Sequence, residues 1–246
     1  MIEGPISESG YFFPGEKIQQ YLDTLKDSEY FENIPVTIES SKKIVIMTHD
    51  DTFDSSFHEY EESHGFESTW FIDMSIEDPE LVNNTDIQLH FNKEFLLPLD
   101  EQIKKFSQKF RKNPKFNRNH RLLWKSNNFD FPLLAMHGIT VDTTHIGTKP
   151  FIPVINGKTV PIMELPFCIS DLPQRPMALY NIAKQIEIPF RNGLPIITVL
   201  AHPLKICQQY QMKSCFNDVV TMAEKYGYDV LSISQFFKED LLCEFL

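Results

Sequence analysis

Short apolar runs alternate with longer amphipathic stretches along most of the chain. The runs at 44–48, 68–75, 86–90, 139–144, 194–203 and 228–234 are rich in Val, Ile, Leu and aromatic residues and predict strands. Helical spacing of apolar positions predicts helices over 16–26, 98–113, 131–138, 177–193, 216–227 and 235–246. In 98–113, Ile103, Phe106 and Phe110 share one face and the acids Asp100 and Glu101 open the helix. Gly138 and Gly193 stand where helices close. Asn156-Gly157 between two apolar runs predicts a hairpin within 151–167. Residues 77–84 read as a short helix or turn, and 53–65, polar and aromatic without a clear period, support no element.

Strand and helix therefore alternate, and no linker rich in Gly, Ser or Pro interrupts them. The pattern predicts an α/β fold with a parallel sheet and helices outside it, as a single domain over 1–246. Near-continuous apolar strands fit burial on both faces. At this length a β/α barrel leads and an open doubly wound sheet comes second. Residues 1–43 precede the first motif and are expected to pack on the barrel as an extension.

Composition narrows the function. Hydrophobic residues make up 42% of 246, enough for a sizeable core. A net charge of −11 argues against nucleic acid and anionic membrane as partners. The basic run Lys104, Lys105, Lys109, Arg111, Lys112, Lys115 reads as the solvated face of a helix. Cys168, Cys207, Cys215 and Cys243 contain no CxxC pair and read as reduced thiols. The first residues, MIEGPISESG, do not resemble a secretory leader, and no stretch approaches the ~20 apolar residues of a membrane span, so a cytoplasmic protein is expected. GxGxxG and GxxxxGK[ST] are both absent.

Polar chemistry concentrates at strand ends. The run 44–48 leads into His49-Asp50-Asp51, 86–90 ends at His90 with Glu94 beyond it, 139–144 carries Asp142, and 194–203 ends at His202. Parallel strands would bring these groups to one rim, where barrels of this type place their active sites. A carboxylate and a histidine on neighbouring strands can hold a divalent metal with open positions for water and substrate. A second carboxylate can take a proton from that water and a separate histidine can protonate a leaving amine. Asp50 and Asp51 can divide the roles of base and ligand, which suits metal-assisted hydrolysis of an amide or ester.

The order of motifs resembles the polysaccharide deacetylase superfamily, the NodB-like group that includes family 4 carbohydrate esterases. THDDT (48–52) is similar to its strand-terminal Thr-Phe-Asp-Asp-Gly motif, TWFI (69–72) to the following Thr-Phe-Phe strand, and IQLHFNKE (87–94) to the motif with two histidines four apart. FNRNHRLLW (116–124) resembles a variant of the arginine motif, GITVDTT (138–144) the Gly-Ile-x-x-Asp-Ser-Ser segment, and VLAHP (199–203) the final Leu-x-His motif. The resemblance implies a distorted β/α barrel of about seven parallel strands and a metal-dependent N- or O-deacetylase acting on an acylated amino sugar or other carbohydrate. It implies Asp50 as general base, Asp51 and His90 as metal ligands, and Arg118 as the group that orients and charge-balances Asp50. It also implies His202 as general acid, with Asp142 as its partner.

The chain departs from that pattern at several positions. Glu94 stands in place of the second histidine and is assigned as the third ligand. His49 replaces a phenylalanine and is expected to be packed, with a ligand or hydrogen-bonding role as the alternative. Thr52 replaces a glycine, and the arginine motif lacks its prolines. Zinc is the expected metal, with cobalt, nickel or manganese as alternatives. Trp70, Trp124 and nearby Phe residues can stack on sugar rings or fill the core. Alternatives to a carbohydrate deacetylase are a catalytically altered relative that binds carbohydrate or a partner without turnover, and an amidase acting on a small non-sugar amide.

Overall fold

The computed structural model describes residues 31–36, 42–74, 82, 85–95, 97–122, 130–155, 157–170, 186–202 and 210–238. The helix expected over 16–26, Trp124, and most of the turn expected at 77–84 lie outside them. So do the first half of the helix expected over 177–193 and the end of the last helix.

The strands are β1 (Phe31–Pro35), β2 (Lys43–Asp51), β3 (Thr69–Ile72), β4 (Asp86–Phe91), β5 (Phe116–Asn119) and β6 (Val141–Asp142). They continue with β7 (Phe151–Ile155), β8 (Lys158–Thr159), β9 (Met163–Glu164), β10 (Ile169–Ser170), β11 (Ile196–Ala201) and β12 (Tyr228–Leu231). The helices are α1 (Ser55–Ser63), α2 (Leu99–Phe110), α3 (Asp130–Met136), α4 (Tyr210–Tyr226) and α5 (Ile233–Lys238), and residues 186–191 are also helical.

Strands β9, β6, β5, β4, β3, β2, β11 and β10 succeed one another in a parallel run. Its two ends, β9 and β10, belong to one stretch of chain. Within it Leu165 N–H donates to Asp142 O (2.7 Å), Phe167 N–H to His145 O (3.0 Å) and Cys168 N–H to Thr198 O (3.0 Å). This single segment is thus bonded to β6 at its start and to β11 at its end, and it closes a distorted barrel of seven parallel staves. β12 adds to the first half of β2, and the hairpin β7–β8 turns at Gly157, whose φ of +72° suits glycine. β1, which hydrophobic patterning did not reveal, pairs antiparallel with β7.

Side chains alternate between the two faces of each stave. Ile44, Ile46, Phe71, Phe116, Val141 and Met163 fill the interior, while Val45, Met47, Trp70, Ile72 and Leu89 pack outward against helical residues such as Phe57, Phe106 and Leu134. β11 is buried along its whole length, which fits a sequence that is apolar at every position but Thr198. In α2, Leu99, Gln102, Ile103 and Phe106 are buried and Lys104 and Lys105 exposed, as the sequence pattern predicts. By the same alternation Asp50, His90, Arg118 and Thr143 take the interior parity, whereas His49, Asn117, Asp142 and Glu164 take the outer one.

Candidate active site

Arg118 is the centre of the barrel mouth. Its side chain is wholly buried beneath the rings of Phe71 (4.7 Å) and Phe167 (5.5 Å). Nη1 donates to Asp50 Oδ1 and to Thr48 Oγ1, both at 2.7 Å. Nε donates to Thr143 O (2.9 Å) and Nη2 to Thr143 Oγ1 (2.8 Å). Thr48 passes the chain of bonds on to Val199 O. Asp50 is thereby locked in one orientation by groups from β2, β5 and the segment after β6.

Asp50 and Asp51 are consecutive, so a continuous strand would aim them at opposite faces. Asp51 takes φ +74°, which ends the extended conformation between them and turns the second carboxylate back to the rim. Its Oδ1 lies 3.2 Å from His90 Nε2 and 3.1 Å from His120 Nδ1, and the two imidazole nitrogens are 3.2 Å apart. Asp51 Oδ2 lies 3.8 Å from His202 Nε2. Burial pushes the Asp51 carboxyl up, but hydrogen bonds with His120 and His90 and the charges of His90 and His202 outweigh it and hold the group well below the usual carboxylate range.

His90 Nδ1 is 2.9 Å from the carbonyl of Arg118. A carbonyl only accepts, so Nδ1 carries a proton, and Nε2, the nitrogen facing Asp51 and His120, is the one that a metal would take on displacing any proton there. Asp51, His90 and His120 thus present three donor atoms in a near-equilateral triangle. A first-row ion bound at about 2.1 Å has ligands about 3.0 Å apart in octahedral and about 3.4 Å apart in tetrahedral geometry. The triangle fits either, so its donor set suits a divalent metal without selecting one.

His120 is the residue that sequence reasoning missed. It succeeds β5, two positions beyond Arg118, and Arg121 (φ +55°) and Leu122 (φ +58°) then bend the chain sharply away. Glu94, assigned from the four-residue spacing after His90, occupies a different place. A three-residue 3₁₀ turn (Lys93–Phe95) carries it, with its N–H bonded to Asn92 Oδ1 (2.9 Å). Its carboxylate pairs with Arg121 Nη1 (2.8 Å) and lies 3.6 Å from His120 Nε2, the far side of that ring from the triangle.

Asp142 faces outward, the parity opposite to Arg118. It is wholly buried, accepting from Asn117 Nδ2 (2.7 Å) and Thr144 N–H (3.0 Å) beside Glu164. Burial, then the charge and hydrogen bond of Glu164, raise Asp142 well above the carboxylate range. Burial likewise raises Glu164 to about 7 and lowers His145 to about 4.

His49 also points outward and is packed, against Trp70 (4.3 Å) and Phe57 (5.1 Å). Trp70 is fully buried, which removes it as a sugar-stacking platform. His49 Nε2 meets Glu61 Oε1 at 2.5 Å, and Ser68 Oγ donates to Glu61 Oε2 (2.8 Å). This pair ties α1 to the strand that delivers Asp50 and Asp51. Burial would raise Glu61, but the charge and hydrogen bond of His49, with the His58 ring 3.9 Å away and a bond from Ser68, outweigh it and hold the group below its ordinary 4.5. A carboxyl depressed in the folded state stabilises above its unfolded value and loses that contribution as pH falls through the acid range. Glu61→Gln is therefore expected to cost about 1–3 kcal/mol at neutral pH. Urea melts from neutral pH down to about pH 3 should show a shallower acid loss in the variant than in the wild type; equal losses would mean that the pair does not contribute to the acid response.

No protein-family model matches the chain, and no curated protein sequence does. Solved structures share its fold. A polysaccharide deacetylase from Bacillus cereus superposes with a TM-score of 0.53 at 15% identity, over 78% of this chain and 92% of that one. A mutant CE4-family pseudoenzyme with restored enzymatic activity gives 0.52 at 12%, over 79% and 67%. A mutant of the peptidoglycan deacetylase PdaC from Bacillus subtilis gives 0.50 at 12%, over 80% and 91%. Barrel, strand order and these superpositions agree: the chain has the fold of the NodB-like polysaccharide deacetylases of the CE4 family.

Proposed function

We propose that this chain is a divalent-metal-dependent hydrolase that removes an acyl group, N-acetyl in the first instance, from an amino sugar or sugar-containing substrate. The observation that carries the reading is the convergence on one rim of Asp50, the Asp51–His90–His120 triangle and His202. In this reading Asp51, His90 and His120 hold the ion, zinc being the first candidate and cobalt, nickel or manganese the others. When bound, the ion polarises the acyl carbonyl and acidifies a water. Asp50, held by Arg118, takes the proton of the attacking water. His202, just beyond β11, delivers a proton to the departing amine.

The test is release of acetate from N-acetylglucosamine oligomers by zinc- or cobalt-loaded protein, beside Asp50→Asn. The wild type should turn over, and the variant should lose about 10²–10⁴-fold in kcat, the contribution of a positioned general base, while keeping its metal. Metal retained without turnover on any acylated sugar would favour the alternative, a protein that binds carbohydrate without chemistry; turnover confined to small amides would replace the sugar with a non-sugar substrate.

A further inference from the structure

The layer between the barrel and its helices is largely apolar, but besides the His49–Glu61 pair another polar group of residues interrupts it. Asn117, Asp142 and Glu164 are register neighbours on β5, β6 and β9, all outward-facing and all wholly buried. His145 joins them, stacked on Phe131 (ring centroids 5.7 Å, 9°) and edge-on to Phe151. The mechanism proposed for the rim uses none of Asp142, His145 and Glu164.

We propose that Asp142, His145 and Glu164 form a second, buried binding site for a divalent first-row transition-metal ion, outside the barrel and independent of the reading of the rim. Each residue offers one ligand atom, and the three atoms all lie within 4.8 Å of one another. His145 Nδ1 and Glu164 Oε2 are 3.3 Å apart. Glu164 Oε2 is buried and accepts no N–H, while its partner oxygen Oε1 accepts the N–H of His145 (2.8 Å). Asp142 is held at both oxygens, Oδ1 accepting from Asn117 Nδ2 and Oδ2 from Thr144 N–H. Both carboxylates are thus fixed by outer N–H groups, as metal ligands commonly are; Glu164 keeps Oε2 for an ion, and each Asp142 oxygen keeps a second lone pair.

Charge points the same way. Two adjacent carboxylates without a cation are among the costliest groups to bury. The nearby Arg118 lies on the interior face with its guanidinium committed to Asp50, Thr48 and Thr143. One divalent ion makes the cluster neutral. The imidazole disfavours calcium and magnesium, which take oxygen ligands, and favours zinc, manganese or iron(II). Such an ion would be acquired as the chain folds and released slowly, because all three residues are buried and Phe131 of α3 stacks on His145.

The experiment is a metal count by elemental mass spectrometry on full-length protein loaded with Zn²⁺ or Mn²⁺ and dialysed, for the wild type, His120→Ala, Glu164→Gln and His145→Gln. The wild type is expected to hold about two ions per chain, and each variant about one. One ion lost in Glu164→Gln but kept in His120→Ala would support the buried site and overturn the rim metal. One ion lost only in His120→Ala, or no ion at all, would overturn the buried site and leave Asp142 and Glu164 sharing a proton. Should a buried variant fail to fold, the wild-type count still decides, with anomalous scattering at the metal edge locating each ion.

Discussion

Arg118→Met is expected to be the most destabilising single change in the barrel mouth, by about 3–5 kcal/mol. Methionine fills the space under Phe71 and Phe167 but supplies no donor. Asp50, almost wholly buried, then keeps its charge without a partner, and Thr143 O and Thr143 Oγ1 lose theirs. The penalty belongs to the stranded carboxylate more than to the lost arginine. Asp50→Asn in the Arg118→Met background should therefore recover part of the loss, and a double-mutant cycle in urea should give a large coupling between the two positions. The site must also fail: Asp50 loses the guanidinium that orients it, whereas His90 keeps its bond to the main-chain carbonyl of residue 118. Metal binding should survive in the single variant while turnover falls. A loss below about 1 kcal/mol would mean that water replaces the guanidinium, and the barrel mouth would be wetter than its geometry implies.

Which features are legible in the sequence depends on the face each residue serves. β2 and β11 are legible because both faces of a barrel stave are apolar, and the β7–β8 turn because Gly157 needs a positive φ. α1 is invisible to periodicity because its buried face carries Phe57 and Glu61; the glutamate is inside only because His49 and Ser68 meet it. Its one local signal is Asp54, whose side chain accepts from Phe57 N–H and caps the helix. The charged end of β2 reads correctly as a rim feature, yet adjacency alone cannot tell that Asp51 leaves the strand at φ +74° and so joins Asp50's side of the sheet. Motif order assigns Asp142 to a place beside His202, but it sits one residue short of Thr143, the neighbour that faces Arg118; parity puts it outside. His120 carries a signal of the same kind. It stands two residues after Arg118, and a spacing of two keeps both on one face.

His120→Ala and Glu94→Gln separate the two candidates for the third ligand. The four-residue spacing from His90 to Glu94 would place both on one face only if a helix succeeded β4. Instead the chain makes a short 3₁₀ turn, held by Gln102, whose side chain bonds Asn92 N–H (3.1 Å), Asn92 O (2.8 Å) and Leu97 O (2.9 Å). Glu94 is carried past the triangle to Arg121 and to the outer nitrogen of His120. A carboxylate behind a ligating imidazole orients the ring and raises its basicity, and its loss costs about 10–100-fold in metal affinity. Removing the imidazole itself takes away one of three donors and must cost more. Zn²⁺ competition against a chromophoric chelator should thus rank wild type above Glu94→Gln and both well above His120→Ala. The reverse order would mean that the ion draws Glu94 inward and that the ring of His120 swings away to Arg121's side. The predicted order instead has the third donor supplied from β5, the strand that already holds Asp50 through Arg118, so that one stave positions both the base and the metal and a shift in it would disturb the two together.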